Sequence, residues 1–200
     1  TMENKMKYKV IDNFLPKGYH NHLLSLMNTN EGAFTWNAKQ NISIQDMPSD
    51  SLYDFGFNHV LDNNSPFHLL FYPMLLSALD VAKSMNEKIT HIKRARADMT
   101  TYTGGKEHTH PAHVDFFDLE HISCVYYVND SDGDTILYNE LFDLTFRGED
   151  AYNKRVANLT ELYRCSPKAN RAFFFNGLNM HTGQSPSKNK VRTIINSNYA

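Results

Sequence analysis

His113-Val114-Asp115 sets an imidazole and a carboxylate two residues apart, and His181 and Arg192 follow far downstream. On a strand, positions i and i+2 face the same side, so both groups would reach one ion from one direction. With His181 as third ligand, two imidazoles and one carboxylate form a facial set that leaves coordination positions open. That donor set suits a non-haem Fe(II) centre that handles O2. Arg192 adds a planar guanidinium, suited to a bidentate grip on a carboxylate. The expected chemistry is metal-centred oxidation with an oxo-acid cosubstrate.

The same residues have plainer readings. His113 and Asp115 also read as a surface pair on a strand edge, and His181 as a loop histidine. His108-Thr109-His110 is a second two-apart pair, the His-x-His of cupin metal sites. A cupin site would want a glutamate shortly after, where this chain has the His-x-Asp; without metal, the pair reads as a polar loop lining a substrate mouth. Arg94, Arg96 and Asp98 fall on one face of a strand. They serve either an anionic or peptide substrate or their own charge pairing.

Positioning such groups takes a scaffold, and 200 residues with 41% hydrophobic content supply one. A single domain over 1–200 is expected. Its helical support region spans 1–90 and its β core 91–200. The net charge of −2 offers no basic field for nucleic acid. No apolar run approaches the roughly 18 residues of a membrane span, and Thr1-Met2-Glu3-Asn4-Lys5 has no signal-peptide core. Two cysteines, Cys124 and Cys165, make no disulfide framework and read as buried apolar residues.

The early part reads as a strand, Tyr8 to Asp12, then a helix opened by Pro16 with Tyr19, Leu23, Leu26 and Met27 at helical spacing. Ser65-Pro66 reads as the cap of a second helix, Phe67 to Met85, which Pro73 should kink or restart. From residue 92 strands recur: Ile92 to Tyr102, Ile122 to Val128, Thr135 to Tyr138, Glu161 to Cys165, Arg171 to Phe175 and Val191 to Asn198. Asn129 to Asp134 and Pro167 to Asn170 read as turns, Asn176 to Gly183 as a turn-rich bend, and Leu141 to Leu159 as a helical excursion or lid.

The stretch 94–200 resembles the Fe(II)/2-oxoglutarate-dependent dioxygenase superfamily, and within it the prolyl 4-hydroxylase-like branch. The resemblance rests on His113-Val114-Asp115-Phe116, on Gly133-Asp134-Thr135, and on Ser166-Pro167-Lys168-Ala169-Asn170 leading into an aromatic strand. His181 and Arg192 complete it. Val10 to Pro16 is similar to the strand-to-helix entry of these enzymes. Arg192 stands where prolyl hydroxylases carry Lys, and Asn170 where Gly is common.

The resemblance implies an α+β, mainly β fold: a double-stranded β-helix, or distorted jelly roll, with N-terminal helices packed on one sheet. It implies Fe(II) on His113, Asp115 and His181, and 2-oxoglutarate and O2 as cosubstrates, with ascorbate allowed as reductant. Arg192 would hold the distal carboxylate of 2-oxoglutarate. Tyr102 is a further cosubstrate contact or a core tyrosine at a strand end. Asn139 and Glu140, with His110, would face the substrate or form a solvated turn. The implied reaction is hydroxylation of a peptidyl, prolyl-type, or small-molecule C–H bond, releasing succinate and CO2. Asp115 disfavours halogenation, which needs a small residue at that position. The resemblance to small bacterial and phage members implies a cytoplasmic location, in a bacterium or a phage-infected host. The alternative is a cupin-like metal-dependent binder or isomerase built on His108 and His110.

Overall fold

A computed structural model describes residues 8–28, 34–39, 52–142 and 158–200. Its elements run β1 (Tyr8–Ile11), α1 (Lys17–Asn28), β2 (Asn37–Lys39), β3 (Gly56–Val60), α2 (His68–Met85), β4 (Ile92–Thr101), β5 (His108–Thr109) and β6 (Ile122–Tyr127). They continue with β7 (Thr135–Leu141), β8 (Glu161–Cys165), β9 (Arg171–Asn176), β10 (Asn179–Ser185) and β11 (Val191–Tyr199). Two sheets form, and every pairing is antiparallel. One has seven strands in the order β1-β9-β6-β11-β4-β3-β2; the other has four, β5-β10-β7-β8.

The seven-stranded sheet is covered on both faces, which explains its unbroken apolar runs. One face carries Ile122, Cys124, Tyr126, Ala172, Phe174, Ile195 and Tyr199 against Leu23 and Met27 of α1 and Phe71, Met74, Leu75, Ala78 and Ala82 of α2. The opposite face carries Val125, Tyr127, Phe173, Phe175 and Ile194 against Leu137 and Cys165 of the smaller sheet. The period of two sends alternate residues to the two layers. Both cysteines are free and buried, as expected.

Several local expectations change. The helix α2 runs unbroken through Pro73. The hydrogen bond lost there would have gone to the carbonyl of Leu69, whose side chain is 82% exposed, so the loss falls on the solvent side. The cap of α2 is Phe67 rather than Ser65, although Ser65 Oγ accepts from the Phe67 N–H at 3.2 Å. The bend from Asn176 to Gly183 is mostly strand β10. Short strands β2 and β3 extend the edge of the large sheet beyond any apolar alternation in the sequence. The excursion expected at 141–159 lies largely outside the described residues.

Two turns justify their residues. Asn170 has φ of +64°, a left-handed conformation that asparagine tolerates. Its side chain accepts from Leu15 N–H and donates to Leu15 carbonyl, both at 2.8 Å, so it also ties down the entry to α1. Gly133 has φ of +91°, and a Cβ there would lie 2.5 Å from the Gln184 carbonyl and 3.2 Å from Arg192 Cδ. The Gly-x-Thr turn therefore needs glycine so that the backbone can pass beneath the arginine.

Candidate metal centre

His113 and Asp115 do not sit on a strand. His113 instead makes an isolated antiparallel bridge with His181. The two residues exchange backbone hydrogen bonds of 2.8 and 2.9 Å, which places them directly opposite each other. The two side chains still converge, as i and i+2 positions would on a strand. Val114 turns the other way, fully buried in a cluster with Ala112, Phe142 and Met180. One donor atom from each of His113, Asp115 and His181 lies within 4.8 Å of the others.

The ring orientations are fixed by backbone carbonyls. His113 Nδ1 lies 3.1 Å from the Pro111 carbonyl, and His181 Nδ1 lies 3.0 Å from the Asn179 carbonyl. A carbonyl only accepts, so each Nδ1 carries the proton and each Nε2 keeps its lone pair for a metal. Burial, and then the neighbouring His181, push the His113 pKa down to about 4; the ring is neutral at physiological pH.

Asp115 is the buried charge of the site, with a side chain 4% exposed. Burial pushes its carboxyl pKa up, but the hydrogen bonding and electrostatic influence of His181, with the Arg94 guanidinium, outweigh that and hold it well below the usual range. Arg94 Nη2 donates at 2.5 Å, Asn198 Nδ2 at 2.8 Å, Ser123 Oγ at 3.1 Å and Asn196 Nδ2 at 3.3 Å. Such outer partners orient a ligating carboxylate.

The neighbouring pocket is floored by the inner faces of β4 and β11, whose register sets Thr100 opposite Arg192, Asp98 opposite Ile194 and Arg96 opposite Asn196. With His110, Thr135 and Gly183 these residues line a cavity that also touches His113 and His181. Arg192 is 5% exposed, donates to Thr135 Oγ1 at 2.8 Å and lies over the Tyr127 ring at 5.7 Å. Among the described residues, four buried polar side-chain atoms have no hydrogen-bond partner: Thr100 Oγ1, Arg192 Nε, Asn196 Oδ1 and His121 Nε2. Three of the four belong to residues of this pocket. Buried polar groups are rarely left unpaired, so the pocket is built to receive a polar ligand.

The remaining sequence-derived residues separate. His110 lines the pocket. Tyr102 does not: its side chain is 53% exposed and its hydroxyl would lie 3.6 Å from a Cβ at Gly105, because β4 ends one residue earlier and the chain turns out. Thr100, two residues earlier and still on β4, reaches the pocket instead. Asn139 is exposed and lines a separate cavity of ≈ 430 Å³ with His121 and Asn179. Glu140 turns to the surface, where its carboxylate accepts from Thr160 N–H at 2.9 Å. Arg96 pairs with Asp98, Nε to Oδ1 at 2.8 Å, as the charge-pairing reading expects, while Arg94 reaches Asp115.

Sequence reasoning missed Asp54, which joins His108 and His110 in a second cluster with donor atoms within 4.8 Å. The partner of the His-x-His pair comes from upstream, not downstream. It also missed Thr100, Ser123, Asn196 and Asn198. The period-two spacing of Thr100, Asp98 and Arg96, and of Asn198, Asn196 and Arg192, was the available signal.

No protein-family model matches the chain, and no curated protein matches it in sequence. Solved structures match it closely in backbone. The "non-heme alpha ketoglutarate dependent epimerase SnoN from nogalamycin biosynthesis" superposes with a TM-score of 0.71 at 8% identity, covering 98% of this chain and 79% of that one. A prolyl hydroxylase from Trichoplax adhaerens, in complex with a hypoxia inducible factor peptide fragment, gives 0.61 at 15% identity over 98% and 84%. The viral collagen prolyl hydroxylase of Paramecium Bursaria Chlorella virus-1, a 2OG complex, gives 0.53 at 13% identity over 100% and 99%. The chain has the fold of the 2OG-Fe(II) oxygenases, prolyl hydroxylases among them.

Proposed function

We propose that the chain is an Fe(II)- and 2-oxoglutarate-dependent dioxygenase that hydroxylates a C–H bond. The observation that carries this reading is the joint placement of the His113–Asp115–His181 donor set and the pocket holding Arg192. The two sheets are then the double-stranded β-helix of the superfamily, with the centre held between them.

The residues fit the cofactor. Two imidazoles, each with Nδ1 turned to a carbonyl, and one ionised carboxylate match the ligand set of a non-haem iron that keeps open positions. Arg192, with Thr135 beside it and the unpaired Thr100 hydroxyl across the ladder, would grip the distal carboxylate of 2-oxoglutarate. Iron and 2-oxoglutarate, when bound, supply O2 activation coupled to decarboxylation to succinate and CO2. The protein's own work is orientation and exclusion of water. Arg94, Asn198 and Ser123 fix the Asp115 carboxylate, while Val125 and Ile194 form the apolar wall of the pocket.

Substrate is a separate question, because one fold hosts many reactions. A peptidyl, prolyl-type side chain is the leading class, by likeness to the prolyl hydroxylases, and a small molecule is the alternative, by likeness to the epimerase. The histidines of the cupin-like reading, His108 and His110, join Asp54 and not His181. Adding Fe(II) and 2-oxoglutarate without oxygen should produce a visible metal-to-ligand charge-transfer band. The band should vanish in His113→Ala and persist in His108→Ala. The reverse pattern would favour the cupin-like reading, and no band in the wild type would overturn the cosubstrate assignment.

A further inference from the structure

Asp54 is 0% exposed, just before β3, and two histidines close on it, His108 of β5 and His110 just after that strand. His108 Nε2 lies 3.3 Å from Asp54 Oδ1, and His110 Nδ1 contacts the same oxygen. The two rings meet edge to face, with centroids 4.8 Å apart. We infer that Asp54, His108 and His110 form a second divalent-cation site, of zinc type, separate from the His113–Asp115–His181 centre.

The three donor atoms converge within 4.8 Å, as a shared cation requires. Zinc bound at roughly 2.0–2.1 Å in tetrahedral array spaces its donors roughly 3.3–3.4 Å apart. That is the His108-to-Asp54 separation; His110 now contacts the Asp54 oxygen directly and would exchange that hydrogen bond for the ion. Two imidazoles and a carboxylate are a zinc-compatible set. His108 is the half-buried member, so the fourth position opens to solvent on its side.

The support behind the ligands is also in place. His110 Nε2 meets Ser185 Oγ at 2.9 Å, the second-nitrogen partner that metal-bound histidines regularly have. The His110 backbone donates to the Gly183 carbonyl at 3.0 Å, and its carbonyl accepts from Thr182 Oγ1 at 2.5 Å. Strand β5 is paired to β10 through Thr109 with Gln184 and His108 with Ser185. The imidazoles are therefore held before any ion arrives. An ion there would pin the chain before β3 to the small sheet, and hold His110 at the wall of the Arg192 pocket.

The test is metal stoichiometry on untagged, chelator-stripped protein, by equilibrium dialysis against Zn2+ followed by elemental analysis. The expected values are two ions per chain for wild type and one each for His113→Ala and His108→Ala. The double variant should bind none. Zn2+ should also raise the melting temperature of His113→Ala but not of His113→Ala with Asp54→Asn. One ion in wild type, unchanged in His108→Ala, overturns the inference while leaving the first centre standing. Loss of one ion in His108→Ala alone, with His113→Ala still binding two, upholds it and removes the first centre instead.

Discussion

Two clusters in this chain contain the same side chains, two histidines and one aspartate, yet their surroundings differ. Around His113, Asp115 and His181 both Nδ1 atoms are committed to backbone carbonyls. Four side chains donate to the carboxylate, and a pocket with unpaired polar atoms adjoins the set. Around Asp54, His108 and His110 the imidazoles close on the carboxylate directly, and a serine hydroxyl, able to donate or accept, backs His110. Donor type alone thus says little about role. A ligand set beside a lined pocket has somewhere to place a substrate, and that is what suits it to chemistry.

The largest separation between the clusters should come from their carboxylates. Asp115→Ala should reduce 2-oxoglutarate turnover, measured as succinate release, to background, whereas Asp54→Asn should keep most of it. Equal losses would erase the distinction. Arg192→Gln comes next. Truncating one member of a buried charge pair costs about 2 kcal/mol or more, so the KM for 2-oxoglutarate should rise at least about thirtyfold, with iron binding unchanged in a metal titration. An unchanged KM would move the cosubstrate elsewhere.

Asn198→Ala removes a donor to Asp115 and should weaken iron binding by about tenfold or more, as outer partners of metal ligands usually do. Zinc uptake at Asp54 should not change, and competition with a chelator reads both. The smallest effect belongs to Thr100→Val. One hydrogen bond is worth about 1 kcal/mol, so the KM for 2-oxoglutarate should rise about fivefold while the melting temperature holds. A fall in stability with no change in KM would make Thr100 a packing residue only.

Much of the β half was legible because its strands are short apolar runs between strong turns. Ile122 to Tyr127, Glu161 to Cys165 and Arg171 to Asn176 need only local pattern and flanking Asn, Asp, Gly or Pro. Strand β10 was not legible. Asn179-Met180-His181-Thr182-Gly183 has neither alternation nor β-branched density, and it is a strand because β7 and β5 pair with it from both sides. Pro73 does not restart the helix for a similar reason, since the cost of proline depends on which face of the helix loses the bond.

By itself the sequence determined the donor inventory: His113, Asp115, His181 and Arg192, with chemistry set by side-chain type, and the His-x-His pair as a rival. It also determined the two-layer alternation of β6 and β9, because a strand's period of two is a local property. The tertiary structure alone decided that His113 faces His181 across one bridge, that Asp54 and not a downstream glutamate meets His108 and His110, and that Thr100 and not Tyr102 reaches the Arg192 pocket. Those outcomes depend on strand register and on where β4 ends. Both are set by pairing between segments distant in the chain, which no local spacing encodes.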